Sequence, residues 1–136
     1  MPQYPYFPVA TDLGTVLTLS AQGTGSVNSA NLTNAGATGV QLRLYCTAES
    51  GTTPTVTLTV QGYDAASGQY YNIGASTAFA VAASTMYTVT LYPGVAAGTS
   101  PTEGINSALP ATWRVQATIA GTTPSVTATV GGCTLV

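Results

Sequence analysis

Apolar and polar residues alternate with a period of two along most of this chain, the spacing that turns one side of an extended strand toward a core and the other toward solvent. In Val40-Gln41-Leu42-Arg43-Leu44-Tyr45-Cys46, the set Val40, Leu42, Leu44 and Cys46 points one way and Gln41, Arg43 and Tyr45 the other. Val56, Leu58 and Val60 alternate with Thr57, Thr59 and Gln61, and Trp113, Val115, Ala117 and Ile119 with Arg114, Gln116 and Thr118. Tyr87, Val89 and Leu91 follow the same rule, and Leu13 to Leu19 gives a shorter edge-strand candidate. No segment carries a long helical period. Clusters of Gly, Pro, Asn and Ser separate the runs, so the pattern predicts an all-β fold, an antiparallel β-sandwich of the Ig-like or jelly-roll-like kind, with about eight strands.

Gly51-Thr-Thr-Pro-Thr-Val-Thr-Leu-Thr-Val60 returns as Gly121-Thr-Thr-Pro-Ser-Val-Thr-Ala-Thr-Val130. An internal repeat of this kind predicts one supersecondary unit used twice. In each copy an Arg-led strand, from Arg43 or Arg114, runs into Gly-Thr-Thr-Pro, expected to be a hairpin turn in which Pro sets φ for the next strand. A further hairpin is expected over Gly62 to Tyr71, with Asp64 making an Asx turn and Gly68 taking positive φ.

Two segments fall outside this scheme. Pro2-Gln-Tyr-Pro-Tyr-Phe-Pro8 reads as an extended, polyproline-like arm whose aromatics need cover, from a neighbour or from the edge of its own domain. Residues 1–12 are therefore assigned to an N-terminal arm and 13–136 to a single sandwich domain. Pro93 to Pro110, rich in Gly, Ala and Ser, is expected to be a long loop, either functional or mobile.

Composition narrows the function. Hydrophobic residues make up 45% of the chain, enough for one core, while charged residues make up only 4%, against about 25% in ordinary domains. The charges are Arg43, Arg114, Asp12, Glu49, Asp64 and Glu103, with no Lys or His and a net charge of −2. Two arginines do not make the basic face that phosphate neutralisation requires, so no nucleic-acid partner is expected. No apolar run approaches the roughly 20 residues of a spanning helix, and Met1 to Ala10 lacks the basic start of a signal peptide. No membrane partner is expected, and synthesis in the cytoplasm is.

Chemistry finds few instruments here. Without His or Lys the commonest general bases and nucleophile activators are missing, and the four carboxylates read as solvated turn or strand-end residues without paired spacing. Cys46 has no His to activate it, and Cys46 and Cys133 lack the spacing of a zinc site. They read as two buried thiols, or as one disulfide in an oxidising setting, which an exported adhesin would favour. The expectation is a protein that is not an enzyme, with no catalytic residue, cofactor or metal. Tyr63, Tyr70 and Tyr71 cluster in one hairpin, either as cross-strand packing or as a stacking site for a sugar. Thr on nearly every outward face gives a stiff, neutral surface suited to assembly.

The stretch Gly39-Val-Gln-Leu-Arg-Leu-Tyr-Cys-Thr-Ala-Glu-Ser-Gly-Thr-Thr-Pro-Thr-Val-Thr-Leu-Thr-Val-Gln-Gly-Tyr-Asp-Ala-Ala-Ser-Gly-Gln-Tyr-Tyr71 resembles small proteins common in tailed-phage genomes, as do Val89-Thr-Leu-Tyr-Pro-Gly94 and Leu109-Pro-Ala-Thr-Trp-Arg-Val115. The resemblance covers roughly residues 25 to 135. Such proteins look like capsid decoration, or cement, proteins: Ig-like β-sandwiches outside an HK97-type shell, often trimers at local three-fold axes. The resemblance implies a structural virion protein on the capsid surface, with the major capsid protein and its own copies as partners. No known site residue carries over with it. On this view Tyr4, Tyr6 and Phe7 anchor on a neighbour, with the 93–110 segment as a second contact. The alternative is a glycan- or host-binding module of a tail or head fibre, with Tyr63, Tyr70 and Tyr71 as its site.

Overall fold

A computed structural model describes residues 10–136, which fold as an all-β sandwich. The strands are β1 (Asp12–Gln22), β2 (Gly25–Asn28), β3 (Leu32–Thr33), β4 (Gly39–Asp64), β5 (Gln69–Ala75), β6 (Phe79–Ala80), β7 (Thr85–Leu91), β8 (Gly98–Thr99), β9 (Thr102–Ile105) and β10 (Thr112–Leu135). Tyr4, Tyr6 and Phe7, and with them nearly all of the expected arm, lie outside the described residues.

β4 and β10 dominate the architecture. They pair antiparallel from Trp113 opposite Gly62 to Leu135 opposite Gly39, and so run through both sheets. One sheet holds β1, residues 125–135 of β10, residues 39–50 of β4, β7, β9 and β8. The other holds β2 and β3, residues 112–120 of β10, residues 55–64 of β4, and β5 and β6. All pairings are antiparallel except that of β7 with β9.

The two Gly-Thr-Thr-Pro copies are not hairpin turns. Each lies inside a continuous long strand, and the two face each other where β4 and β10 pass from one sheet to the other, with register shifts on either side of Thr122. The reason is local geometry. Thr53 and Thr123 take positive φ, 47° and 44°, so each strand kinks without reversing. Gly51 and Gly121 let the backbones meet: a Cβ on Gly51 would lie 2.5 Å from the Thr123 carbonyl oxygen, and one on Gly121 2.9 Å from that of Thr53.

The repeat is thereby explained as an approximate two-fold symmetry of the pairing. Exchanging β4 with β10 carries Arg114 opposite Gln61 onto Arg43 opposite Gly131, and it carries β5 on β4 onto β1 on β10. The odd residue out is absorbed by a bulge, since Cys46 pairs with Ala128 while Ala48 pairs with the adjacent Thr127.

The core is the set that alternation predicts. Val40, Leu42, Leu44 and Cys46, with Val56, Leu58 and Val60, are fully buried, as are Trp113, Val115, Ala117, Ile119, Val89 and Leu91, none of them more than 1% exposed. Each buried Leu, Ile or Val contributes roughly 1.5–3 kcal/mol by leaving water, before the entropy of ordering is set against it. β1, the expected edge strand, lies at the sheet edge and carries three register irregularities, a feature that blunts edge-to-edge pairing. The turn after β4 also forms as expected. Asp64 Oδ1 accepts from the Ala66 amide, Gly68 has φ 70°, and the Gly68 amide donates to the Asp64 carbonyl.

The 93–110 segment is more ordered than a loop. It contributes β8 and β9, and β9 extends the first sheet alongside β7.

Candidate functional site: two sheet faces

The outward face of the second sheet is closed by cross-strand polar pairs. Arg114 Nε donates to Gln61 Oε1 at 2.8 Å, and Gln61 Nε2 donates to Asn72 Oδ1 at 2.8 Å. Gln116 Nε2 donates to Asn28 Oδ1 at 3.0 Å, and the Ser26 and Thr118 hydroxyls share a hydrogen bond. These residues meet because strand register sets them opposite one another: Gln116 with Asn28, Thr118 with Ser26, Arg114 with Gln61.

At one end of this face the Arg114 guanidinium carbon stands 3.5 Å from the Tyr70 ring centroid, and the Tyr70 hydroxyl donates to Asn31 Oδ1 at 2.7 Å. Tyr63 packs against Tyr70 with centroids 5.1 Å apart. Of the three tyrosines picked out in the sequence, the structure brings Tyr63 and Tyr70 together and sends Tyr71 to the opposite face. There its ring occupies the space that a Cβ on its cross-strand partner Gly62 would take. With Arg114 on Tyr70, one face of the ring that a sugar would need is already filled.

The outward face of the first sheet is different. Tyr45 and Met86 are direct cross-strand neighbours, 37% and 49% exposed. Arg43, two residues from Tyr45 on the same face, sits opposite Thr88 and Gly131. Alternation marks Tyr45 and Met86 as outward, but only the register of β4 against β7 makes them adjacent, so the sequence alone did not reveal this patch.

The carboxylates separate into two environments. Asp12 Oδ1 caps the Gly14 amide, and Asp64, fully exposed, is held below the usual carboxylate range by hydrogen bonds from the Ser67 hydroxyl and the Ala66 amide. Glu49 is exposed. Glu103 departs from the expected solvated turn residue, being 8% exposed on β9. Its two oxygens accept from the Thr77 amide at 2.9 Å and the Thr77 hydroxyl at 2.5 Å. Parallel pairing of β9 with β7 turns it inward, and Thr77 supplies the hydrogen bonds a buried carboxylate requires. Glu103 thus ties the β8–β9 segment to the chain between β5 and β6. Replacing Glu103 by Ala is expected to cost about 1–3 kcal/mol and to speed hydrogen exchange over 98–105 more than over β4 or β10. Peptide-level exchange mass spectrometry reads this, with exposed Glu49→Ala as the control.

The cysteines are both free thiols. Cys46 is buried on the core side, where desolvation raises its pKa above the ordinary thiol value. Cys133 differs from the expected buried thiol. It is half-exposed on the outer side and lies on β10 five residues beyond Ala128, the partner of Cys46, so the two do not meet.

A cavity of about 100 Å³ lies beside the start of β1, lined by Thr11, Leu13, Thr33, Ala35, Ala37 and Thr134. That is below the roughly 300 Å³ at which small-molecule sites begin. Among the described residues no group of three His, Cys, Asp or Glu side chains is placed to hold a metal. No described helix is long and apolar enough to cross a membrane.

No protein-family model matches this chain, and no curated protein does. Among solved structures, one described as the structure of infectious bursal disease virus, Gx strain, is similar with a TM-score of 0.44 and 8% identity. The likeness extends over 98% of this chain and 36% of that one.

Proposed function

We propose that this chain is a non-catalytic structural component of a virion, a decoration protein bound to the outer surface of a tailed-phage head. The observation that carries the proposal is the contrast between its two sheet faces. One satisfies its polar groups internally through Arg114, Gln61, Asn72, Gln116 and Asn28. The other presents the apolar pair Tyr45 and Met86 beside Arg43. Tyr, Met and Arg are the residue types enriched where proteins meet, and a neutral, stiff scaffold presenting them serves adhesion better than turnover. The resemblance of residues 25 to 135 to phage decoration proteins supports the specific placement. Each copy then adds interface across capsomer junctions and opposes the outward pressure of packaged genome.

Cryo-electron microscopy of the particle tests this. Regular density over the shell, in many copies, is the expected result. Density confined to a tail or fibre tip, or a shell without the protein, overturns it.

A further inference from the structure

We propose that the edge of β7 at Met86, with Tyr45 and Arg43 beside it, receives an extended acidic segment of another protein as an added strand. This deepens the decoration reading by giving the chemistry of the partner, and its test requires no shell.

The first ground is an open backbone edge. β7 pairs with β4 from Thr85 to Leu91 without a register shift, but with β9 only from Thr88 to Leu91. Backbone groups alternate in direction along a strand. The Thr88 amide donates to the Pro101 carbonyl and the Tyr92 amide to the Ile105 carbonyl, so both point away from β4. Two residues back, the N–H and C=O of Met86 point the same way. The parallel ladder would fill that carbonyl from residue 101, which is a proline and has no N–H to give. Among the described residues Met86 thus has an unpaired backbone donor and acceptor side by side, and another extended chain completes such a pair.

The second ground is the side chains at the same spot. Met86 is 49% exposed and its cross-strand neighbour Tyr45 37%, an apolar pair able to cover an aliphatic side chain of the added strand. Sheet edges are ordinarily guarded by charge, proline or irregular pairing. β1, the opposite edge of the same sheet, has Asp12 and three register irregularities. β7 has no charged residue and pairs regularly.

The third ground is charge, which selects the partner. Arg43 stands diagonal to Met86 across the β4–β7 pair, within reach of a long side chain. Among the described residues it has no hydrogen bond, ion pair or ring contact, whereas Arg114 has Gln61 and Tyr70. A carboxylate beside the added strand meets this cation. Residues 1–9 of this chain contain none. A second copy is no better supplied. Its Asp12, Asp64 and Glu103 bond within their own chain, and Glu49 lies three residues beyond the last pair of β4 with β7. Two copies meeting edge to edge at Met86 would set Arg43 against Arg43. A foreign segment with an apolar residue opposite Met86 and a carboxylate two residues away satisfies the edge, the apolar pair and the cation together.

The experiment titrates ¹⁵N-labelled full-length protein with the synthetic peptide acetyl-Thr-Thr-Val-Thr-Glu-Thr-amide at millimolar concentration. Amide shifts confined to residues 84–88 and 43–46 are expected. Replacing the peptide's Glu by Gln should weaken binding about threefold and remove its salt dependence. N-methylation at its Val, which blocks the donor to the Met86 carbonyl, should abolish binding. Met86→Thr, checked for fold by circular dichroism, should weaken it about tenfold, and Arg43→Gln should make the Glu and Gln peptides equivalent. Shifts on other surfaces, no shifts, or equal binding of the Glu, Gln and N-methyl peptides to the wild-type protein overturn the proposal. The place of the protein in the particle, read by microscopy, reports on the decoration role alone.

Discussion

Replacing Gly51 by alanine is expected to lower stability by about 2–4 kcal/mol, read as a drop in the urea midpoint at unchanged m-value. Two effects combine. Gly51 has φ 99°, outside the range an L residue adopts easily, and an added Cβ would lie 2.5 Å from the Thr123 carbonyl oxygen and 2.9 Å from the Pro124 Cα. The opposing atoms are backbone held by the longest strand pair in the fold, so neither yields cheaply. Gly121→Ala should rank below it, since its closest approach is 2.9 Å. Gly94→Ala separates the two causes, because Gly94 has φ 85° but nothing within 4 Å of an added Cβ. It should cost only the conformational part, about 1 kcal/mol. Equal losses at Gly51 and Gly94 would show that the crossing is not tightly packed.

Trp113→Ala is expected to cost about 3–5 kcal/mol, and Trp113→Phe to restore most of that. Trp113 is 1% exposed, the largest of the fully buried side chains, and holds the end of the core between Gly62 and Leu32. A buried tryptophan usually also loses an indole hydrogen bond on conversion to Phe. Here the Trp113 Nε1 proton has no partner among the described residues, so Phe removes a donor they leave unsatisfied together with some contact area. Circular dichroism in denaturant is the appropriate readout, because the chain has a single Trp and its fluorescence disappears with the substitution. A Phe variant as unstable as the Ala variant would mean the indole is held by more than packing.

Strand composition and core membership were legible from the sequence, because a period of two leaves little freedom about which side chains face inward. The run from Val40 to Cys46 and that from Trp113 to Ile119 have the predicted sides buried. The role of Gly-Thr-Thr-Pro was not legible. The same residues suit a turn or a kinked crossing, and only the pairing of residue 51 with the region of residue 121 decides between them. Glu103 was misplaced for a related reason: a carboxylate in a Gly-rich segment looks solvated until the parallel partner β7 and the donor Thr77 are known. The tyrosine cluster was half legible. Proximity in one hairpin placed Tyr63 with Tyr70, but adjacent strand positions point to opposite faces, which separates Tyr71. The Tyr45 and Met86 patch needed register between strands forty residues apart, information that no local pattern holds.

The central position of β10 in both sheets has a consequence for biosynthesis. During translation every other described strand emerges before it, yet β1, β2, β3 and one full length of β4 find their partner only in β10. Neither layer can close while residues 112–135 are still within the ribosome. The nascent chain must therefore hold its Val- and Leu-rich segments without a completed sheet until synthesis has passed them, and the fold then forms in one late step dominated by long-range contacts, the class of topology that folds slowly.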